Sequence, residues 1–343
     1  MRLLIPTLIA SVSIGATLVS PSAMAITRYV NCDEGQTIVE AIEKATSRAD
    51  RLEILVSGTC QEAVLVRRSD VTIDGGDTAV IEGRISALAG GLWIYNLTVT
   101  GAAGGVIVAD GNARLWNVRL VENEGDGLTI RRNSYADLRD SMVSGNGGHG
   151  IVVQSGVLDI RYTDVYANGA VGIVVDRNAM VSMEGGSVTG HENGTGISVS
   201  MSSGLSVNNA SIDGNGDGGV FVAGASNAVL SDCHVNGNAH QGILVADNSA
   251  LDFAGGMIAW NGENGVYALR HAFVALIDTQ VTDNAGNGVY AETDAGVTIV
   301  GPTFIERNDA GIDIACSGKE ASLEIGLEPP GSIGTIDCVD PDF

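Results

Sequence analysis

Residues 238–245 have the sequence NAHQGILV, and residues 261–268 repeat its pattern 23 positions later as NGENGVYA. The same order of an asparagine, a glycine four positions on and an apolar-x-apolar triplet occurs at 123–130 (NEGDGLTI) and 146–153 (NGGHGIVV). Self-similarity at a fixed period of this size predicts a solenoid in which each repeat forms one coil. Steps of 22 to 24 residues separate the repeated glycines, which are Gly83, Gly105, Gly127, Gly150, Gly172, Gly196, Gly219, Gly242, Gly265, Gly288 and Gly311.

An asparagine lies four residues before seven of these glycines, and Glu192 stands in that place in one further coil. Stacked asparagine side chains can hydrogen-bond along a column and satisfy buried backbone groups of the turns. We therefore expect a structural ladder rather than a row of ligand-binding amides. The predicted ladder consists of Asn123, Asn146, Asn168, Asn215, Asn238, Asn261 and Asn284.

Apolar and other residues alternate on both sides of the glycine, which is the period of a strand with one buried face. Each coil is therefore predicted to contain a few short strands, stacked in parallel on those of the next coil. A further turn within the coil is rich in asparagine and aspartate, which suit tight turns. Its members are Asn117, Asp140, Asn209, Asp232 and Asp278.

The N-x-x-x-G-apolar-x-apolar turns resemble the repeats of right-handed parallel β-helix proteins in the pectate-lyase-like superfamily. A second resemblance is SGTCQE at 57–62, followed by Val64-Leu65-Val66. The resemblance covers roughly residues 50–315 and implies an all-β, right-handed parallel β-helix of about ten coils. A left-handed helix is disfavoured because its strict six-residue sub-period is absent. The superfamily includes lyases, hydrolases, epimerases and adhesins, so the fold alone does not define an activity.

The two ends of the chain depart from the repeat. A basic residue, an apolar stretch and Ala23-Met24-Ala25 predict a signal peptide over residues 1–25, and hence export to the periplasm or the extracellular space. Within an N-terminal region of residues 26–70, a capping box at Thr37 and Glu40 predicts a short helix that covers the open end of the solenoid. The β-helix is expected over 71–315, and a C-terminal cap over 316–343.

Five cysteines fit an exported protein. Cys32 and Cys60 flank the N-terminal region, and Cys316 and Cys338 the C-terminal one, so each pair is predicted to form a disulfide. Such loops can each stabilise the fold by about 3 kcal/mol. Cys233 falls in an inward column of small residues and is expected to be a buried free thiol.

The chain is acidic, with 18 Lys and Arg against 41 Asp and Glu, a formal net charge of −23. Residues 26–180 contain 14 basic and 20 acidic residues, whereas residues 181–343 contain 3 and 21. This balance argues against nucleic acid as a partner, because phosphate contacts need a basic surface. An acidic polysaccharide would have to bind the first half, or bind through a cation.

One outward column carries large apolar side chains. The middle residue of the post-glycine triplet is Phe221, Leu244, Tyr267 and Tyr290 in four successive coils, with Asp313 expected in the next. A row of this kind on a soluble rod suggests a contact surface for a polysaccharide or a surface glycan. Loops that cover the row, or association of the rod with itself, are the alternatives.

Asp217, His240 and Glu263 lie two residues before their glycines in successive coils. Stacking would place these groups in a line at steps of about 4.8 Å. Two carboxylates beside an imidazole can tune it for acid–base catalysis, and the trio could also hold a metal. The alternative is three polar turn residues in solvent.

Signatures of the family's enzymes are absent. The chain lacks the Asp-Pro-His-Asp element of mannuronan epimerases and the Asn-Thr-Asp and Arg-Ile-Lys elements of polygalacturonases. Residues 213–218 begin like an EF-hand loop, but Gly224 stands where that loop needs glutamate. No cofactor or metal is therefore predicted, although calcium at this turn stays open.

A last column contains Trp116, Arg139 and Arg161. An acidic sugar polymer or salt bridges to neighbouring aspartates would each explain the two arginines. The sequence thus supports two hypotheses for function. The first is an exported protein that binds polysaccharide or a surface through the row from Phe221 to Tyr290 without catalysis. The second is a polysaccharide lyase or glycoside hydrolase that uses the same face.

Overall fold

The computed structural model describes residues 25–45, 51–308, 312–317, 321–329 and 331–338. Residues 1–24 of the predicted signal peptide lie outside this part of the chain, as does Gly311. Among the described residues, no helix has both the length and the apolar character needed to cross a bilayer.

The chain forms two parallel sheets that wind together as a solenoid. The 13-stranded sheet contributes one strand to each coil, and its strands are Val64–Val66, Ile85–Ala87, Val106–Ala109, Leu128–Arg131, Ile151–Gln154, Ile173–Asp176, Ile197–Val199, Val220–Val222, Ile243–Val245, Val266–Ala268, Val289–Glu292, Ile314–Ser317 and Ile336–Asp337. The 22-stranded sheet comprises Ile26–Asn31, Leu52–Ser57, Thr59–Cys60, Val71–Glu82, Gly90–Thr100, Gly111–Val121, Tyr135–Arg139, Met142–Ser144, Val157–Tyr166, Met180–Thr189, Gly204–Asn208, Ser211–Asp213, Asn227–Ser231, His234–Asn236, Ala250–Ala254, Met257–Ala259, Phe273–Ile277, Gln280–Thr282, Gly296–Gly301, Phe304–Glu306, Ser322–Leu327 and Ser332–Ile333.

Strands of consecutive coils pair in parallel and in register, which confirms the predicted fold class. Ile243–Val245, for example, pairs with Val220–Val222 on one side and with Val266–Ala268 on the other. The stacking starts with Ile26–Asn31 on Leu52–Ser57 and continues through Ile336–Asp337. Thirteen coils therefore stack, more than the ten or so that the glycine period marks, because the terminal coils keep the strands but lose the glycine.

Inward side chains stack in columns along the axis. Leu230, Phe253 and Leu276 occupy paired positions in three consecutive coils, and all three are fully buried. Alternate residues of each strand face inward, so the alternation in the sequence becomes a continuous apolar core.

The predicted asparagine and aspartate turn is a left-handed bend that joins the two halves of the larger sheet. Its five members have φ between 48° and 53°. Short polar side chains tolerate this conformation better than other non-glycine residues. Tyr162 adopts it as well, at φ 48°.

The asparagine ladder forms as predicted. Where two consecutive coils both carry a ladder asparagine, the amide oxygen of the later one accepts from both the backbone N–H and the side-chain Nδ2 of the earlier one, as Asn261 does from Asn238 at 3.1 and 3.0 Å. Asn238 Nδ2 also donates to the carbonyl of Ile212 at 3.1 Å. The column continues beyond the predicted set, since Asn308 accepts from Asn284 and donates to the Asp313 carboxylate at 2.9 Å.

The expectation for Glu192 is wrong, because His191 occupies the ladder position in that coil. His191 Nδ1 accepts from the backbone N–H of Asn168 at 3.2 Å. The backbone N–H of His191 donates to Asn215 Oδ1 at 3.4 Å. The side chain is fully buried, and its Nε2 has no hydrogen-bond partner among the described residues. Burial lowers the pKa of His191 below its ordinary value. The ladder therefore contains one titratable link.

The N-terminal end is closed by a 3₁₀ turn (Cys32–Glu34) and a short α-helix (Ile38–Glu43). Thr37 caps the helix by accepting from the Glu40 N–H, as predicted. The Glu40 side chain pairs instead with Lys44 at 2.8 Å. Glu62, from the adjoining coil, accepts from the first two helical N–H groups at 2.6 and 3.0 Å.

Both predicted disulfides are formed, Cys32–Cys60 near the first coils and Cys316–Cys338 near the last. Cys233 is a free, fully buried thiol, as expected. Burial also raises its pKa, which makes a thiolate nucleophile unfavourable there.

Acid should destabilise the fold through His191. The unfolded chain protonates this imidazole near pH 6.5, whereas the folded chain does so only at lower pH. Between the two pKa values the unfolded state holds more protons, so the free energy of unfolding falls as the pH drops below about 6.5. His191→Asn, which supplies the usual ladder amide, should reduce this loss between pH 7.5 and pH 5. Urea unfolding monitored by circular dichroism measures it.

The matched control is His234→Asn, which removes an exposed histidine two coils away. If the free energy of unfolding falls by the same amount between pH 7.5 and pH 5 in His191→Asn and in the unmodified protein, the ladder histidine is not the source of the acid sensitivity.

Candidate functional site

The predicted apolar row is continuous in the structure. Phe221 pairs with Leu244, Leu244 with Tyr267, and Tyr267 with Tyr290 across four neighbouring strands of the 13-stranded sheet. All four side chains point outward and are partly exposed. The row thus forms one strip on the outer face of this sheet, which we call the apolar strip.

The strip does not continue to Asp313 as expected. Ala315 pairs with Tyr290, while Asp313 is buried and accepts from Asn308. The coil between Tyr290 and Ala315 is longer than its neighbours, so a count of 23 residues gives the wrong residue.

Two tyrosines of the strip stack on each other. The ring centroids of Tyr267 and Tyr290 are 5.1 Å apart and the rings are 18° from parallel. This separation is close to the spacing of about 4.8 Å between strands. Each ring therefore covers one face of the other, and the strip presents ring edges and hydroxyl groups.

The hydroxyl groups of both tyrosines are held by polar side chains two positions further along the strands. Tyr267 donates to Glu292, and Tyr290 shares a hydrogen bond of 2.7 Å with Ser317. Burial, followed by the Glu292 contact, raises the pKa of Tyr267 to about 12. This hydroxyl stays protonated and acts as a donor at ordinary pH. One edge of the strip thus has fixed hydrogen-bonding groups.

The other edge of the strip carries His240 and Glu263, in the turns that lead into its strands. His240 Nδ1 lies 2.8 Å from Glu263 Oε1, and Glu263 also accepts from Gln241. Asp217 is linked to this pair only through the backbone, where its carbonyl accepts from the His240 N–H at 3.2 Å, because its carboxylate accepts from Thr195 at 3.0 Å instead. The structure therefore brings together two of the three predicted catalytic residues.

The His240–Glu263 pair is open to solvent, with 51% and 44% of the two side chains exposed. The hydrogen bond to Glu263 is the main reason why the pKa of His240 is raised. The raised pKa favours the imidazolium form, which can donate a proton or bind an anion. Solvent exposure weakens both the pairing and any electrostatic effect on a ligand.

A comparison with known protein families agrees with the solenoid of parallel strands described above. Residues 154–324 match the family model described as the right handed beta helix region. The chain is a right-handed parallel β-helix protein. No curated protein matches its sequence.

Solved structures share this β-helix at low sequence identity. The A-module of the mannuronan C-5 epimerase AlgE6 from Azotobacter vinelandii has a TM-score of 0.55 and 16% identity, over 85% of this chain and 93% of that chain. The periplasmic alginate epimerase AlgG has a TM-score of 0.53 and 14% identity, over 89% and 85%. The pectate lyase Pel9A has a TM-score of 0.47 and 12% identity, over 93% and 79%. The expected resemblance to right-handed parallel β-helix proteins is confirmed at the level of the fold.

The turn at residues 213–218, where the sequence leaves calcium open, has both of its outer aspartates hydrogen-bonded within the protein. Asp213 accepts from the backbone N–H of Asn236 at 2.9 Å, and Asp217 accepts from Thr195, so the two carboxylates have different partners. The one convergent group of potential ligands in the described part of the chain is Cys32, Cys60 and Glu62. Its sulfurs form a disulfide and its carboxylate caps the helix, so this group does not fit a metal.

Sequence reasoning missed the groups that flank the apolar strip. Gln241, Glu292 and Ser317 acquire their positions only through contacts between coils 22 to 27 residues apart. The signal that was available is their offset from the outward column: Glu292 and Ser317 lie two positions after it on their strands, and Gln241 lies three positions before Leu244 in the preceding turn.

The raised pKa of His240 can be tested directly. In the unmodified protein, NMR titration of the imidazole should give a pKa above the ordinary 6.5. Glu263→Gln removes the charged partner, so the pKa should fall towards that value. Glu292→Gln, which removes a carboxylate on the opposite edge of the strip, should leave it unchanged. A titration curve that Glu263→Gln does not shift would contradict the pairing.

Proposed function

We propose that the protein is exported and binds a polysaccharide or a surface glycan through the apolar strip, without catalysis. The main support is that four large side chains pair without a break on adjacent strands and are partly exposed on one flat face. They are Phe221, Leu244, Tyr267 and Tyr290. A linear polymer can follow such a strip along the rod. Glycan hydroxyl groups can hydrogen-bond to the polar edges, where Glu292 and Ser317 lie on one side and His240, Gln241 and Glu263 on the other.

Two further observations support this proposal. The two disulfides are typical of proteins in oxidising compartments outside the cytosol. The structural relatives include enzymes named for mannuronan and alginate, which are polysaccharides, and one of them is named as periplasmic. At their low identity these relatives share the fold with this chain, so the binding face rests on this chain's own residues.

Binding should depend on the two stacked tyrosines. Tyr267→Ala and Tyr290→Ala each remove one ring of the stack, and we expect either change to weaken polysaccharide binding about tenfold, which is about 1.4 kcal/mol. Glycan arrays followed by calorimetry with the best polymer measure this effect. The matched control is Phe273→Ala, since Phe273 is an exposed aromatic residue, 51% exposed, on the other sheet close to the same coil. Equal losses in all three variants would contradict a site on the apolar strip.

A second function is favoured by one observation, the 2.8 Å contact between His240 and Glu263 beside the strip. An imidazole held by a carboxylate is suited to proton transfer in a polysaccharide lyase or a glycoside hydrolase.

Turnover separates the two functions. The purified protein, incubated with neutral and acidic polysaccharides with and without calcium, should release neither reducing ends nor unsaturated products if it only binds. Release of either product would overturn the non-catalytic proposal. His240→Ala should then abolish that release, because the imidazole would carry the proton, whereas His234→Ala should not change it.

A further inference from the structure

The outer face of the 22-stranded sheet carries a second patch, in the first half of the chain. Four consecutive coils contribute strands Gly90–Thr100, Gly111–Val121, Tyr135–Arg139 and Val157–Tyr166. Their outward residues fall into columns that contain aromatic rings, arginines and two aspartates, Asp137 and Asp159. We call this patch the aromatic–arginine face, and its members are Trp93, Tyr95, Arg114, Trp116, Tyr135, Arg139 and Arg161.

Aromatic rings dominate one end of this face. Trp116 is 51% exposed, and its ring centroid lies 6.4 Å from that of Tyr95 at an interplanar angle of 58°. The guanidinium group of Arg51 lies over the ring of Trp93, 5.6 Å from its centroid. The face holds two of the three tryptophans of the chain. A concentration of exposed rings in one place is typical of a contact surface.

Positive charge remains unpaired on this face. Arg139 is bound by Asp137 through two hydrogen bonds of 2.7 and 2.6 Å, which confirms the salt bridge that the sequence suggested. Asp159 accepts from the hydroxyl of Tyr135 at 2.6 Å. Arg114 and Arg161 form no ion pair within the described part of the chain, with Asp137 and Glu184 at the paired positions of the next coils bound elsewhere or out of contact. Two guanidinium groups are therefore available to an anionic ligand.

A recess opens beside these groups. A cavity of about 480 Å³ is lined by Trp93, Arg114 and Tyr135 together with Asn112 and Asp70. The cavity brings a flat ring, a guanidinium group and a phenol into one concave site. Burial and the Asp159 contact raise the pKa of Tyr135 to about 12, so its hydroxyl stays a donor.

The charge distribution of the whole chain directs an acidic ligand to this region. Residues 181–343 contain 3 basic and 21 acidic residues, which makes that half repulsive to anions. Residues 26–180 contain 14 basic and 20 acidic residues, so this half is much less repulsive to anions. The aromatic–arginine face therefore combines ring contacts with unpaired arginines in the less acidic half of the rod.

We propose that the aromatic–arginine face is a second binding surface, specific for a carboxylated polysaccharide. The planar guanidinium groups of Arg114 and Arg161 match the geometry of carboxylates, and the rings of Trp93 and Trp116 supply flat apolar area for the sugar. This surface lies on the opposite sheet from the apolar strip. Its existence does not depend on the function proposed for the strip.

The test uses polygalacturonate as the carboxylated probe, dextran sulfate as the sulfated one and dextran as the neutral one. Binding of the full-length protein is measured by biolayer interferometry at low and high salt. We expect binding of polygalacturonate in preference to the other two polymers. The double variant Arg114→Ala/Arg161→Ala and the single variant Trp116→Ala should each weaken it at least tenfold, while Phe273→Ala, which removes an exposed ring of the same sheet in the other half of the chain, should not.

The charge-matched control is Arg270→Ala/Arg307→Ala, which removes two exposed arginines from the other half of the chain. Equal losses in the two arginine double variants, or equal binding of dextran sulfate, would overturn the proposal in favour of charge alone. Absence of polygalacturonate binding would also overturn it. Circular dichroism checks folding, and the single variant Arg114→Gln replaces the double variant if the β signal is lost.

Discussion

A buried asparagine amide in this chain satisfies its hydrogen bonds only when the next coil has a polar group at the equivalent position. Leaving such an amide unpaired costs about 1–3 kcal/mol. Asn238 bonds to Asn261 in one neighbouring coil and to the carbonyl of Ile212 in another. The ladder therefore penalises any coil that slips along its neighbour. This constraint fixes the register of the strands.

Fixed register converts single positions of the repeat into continuous columns on the surface. The apolar strip and the aromatic–arginine face are both columns of this kind, one on each sheet. Neither column has a role in the core, so its side chains can vary without loss of the fold. Specificity for a ligand can therefore arise from substitutions at a few outward positions, while the ladder and the apolar columns hold the backbone.

The sequence was sufficient for the features that repeat and insufficient for those that break the repeat. The period, the ladder, the turn aspartates and the two disulfides follow from spacing and residue type. Glu192 and Asp313 were predicted at positions that His191 and Ala315 occupy, because the coils there are longer than 23 residues. The partner of Asp217 was missed for a different reason. Stacking places the three side chains in line, but the rotamer of each one decides whether it contacts the preceding coil or the following coil. The Asp217 side chain contacts Thr195 in the preceding coil.

The open geometry of the apolar strip favours binding over catalysis. Enzymes stabilise charge in their transition states with fixed dipoles in sites that exclude water, where electrostatic interactions are strong. His240 and Glu263 are instead about half exposed on a flat sheet, where solvent screens their field. A catalytic role would require the bound polymer itself to exclude water from the pair. Binding needs no such shielding, because contact area and hydrogen bonds along many coils add up over the length of a polymer.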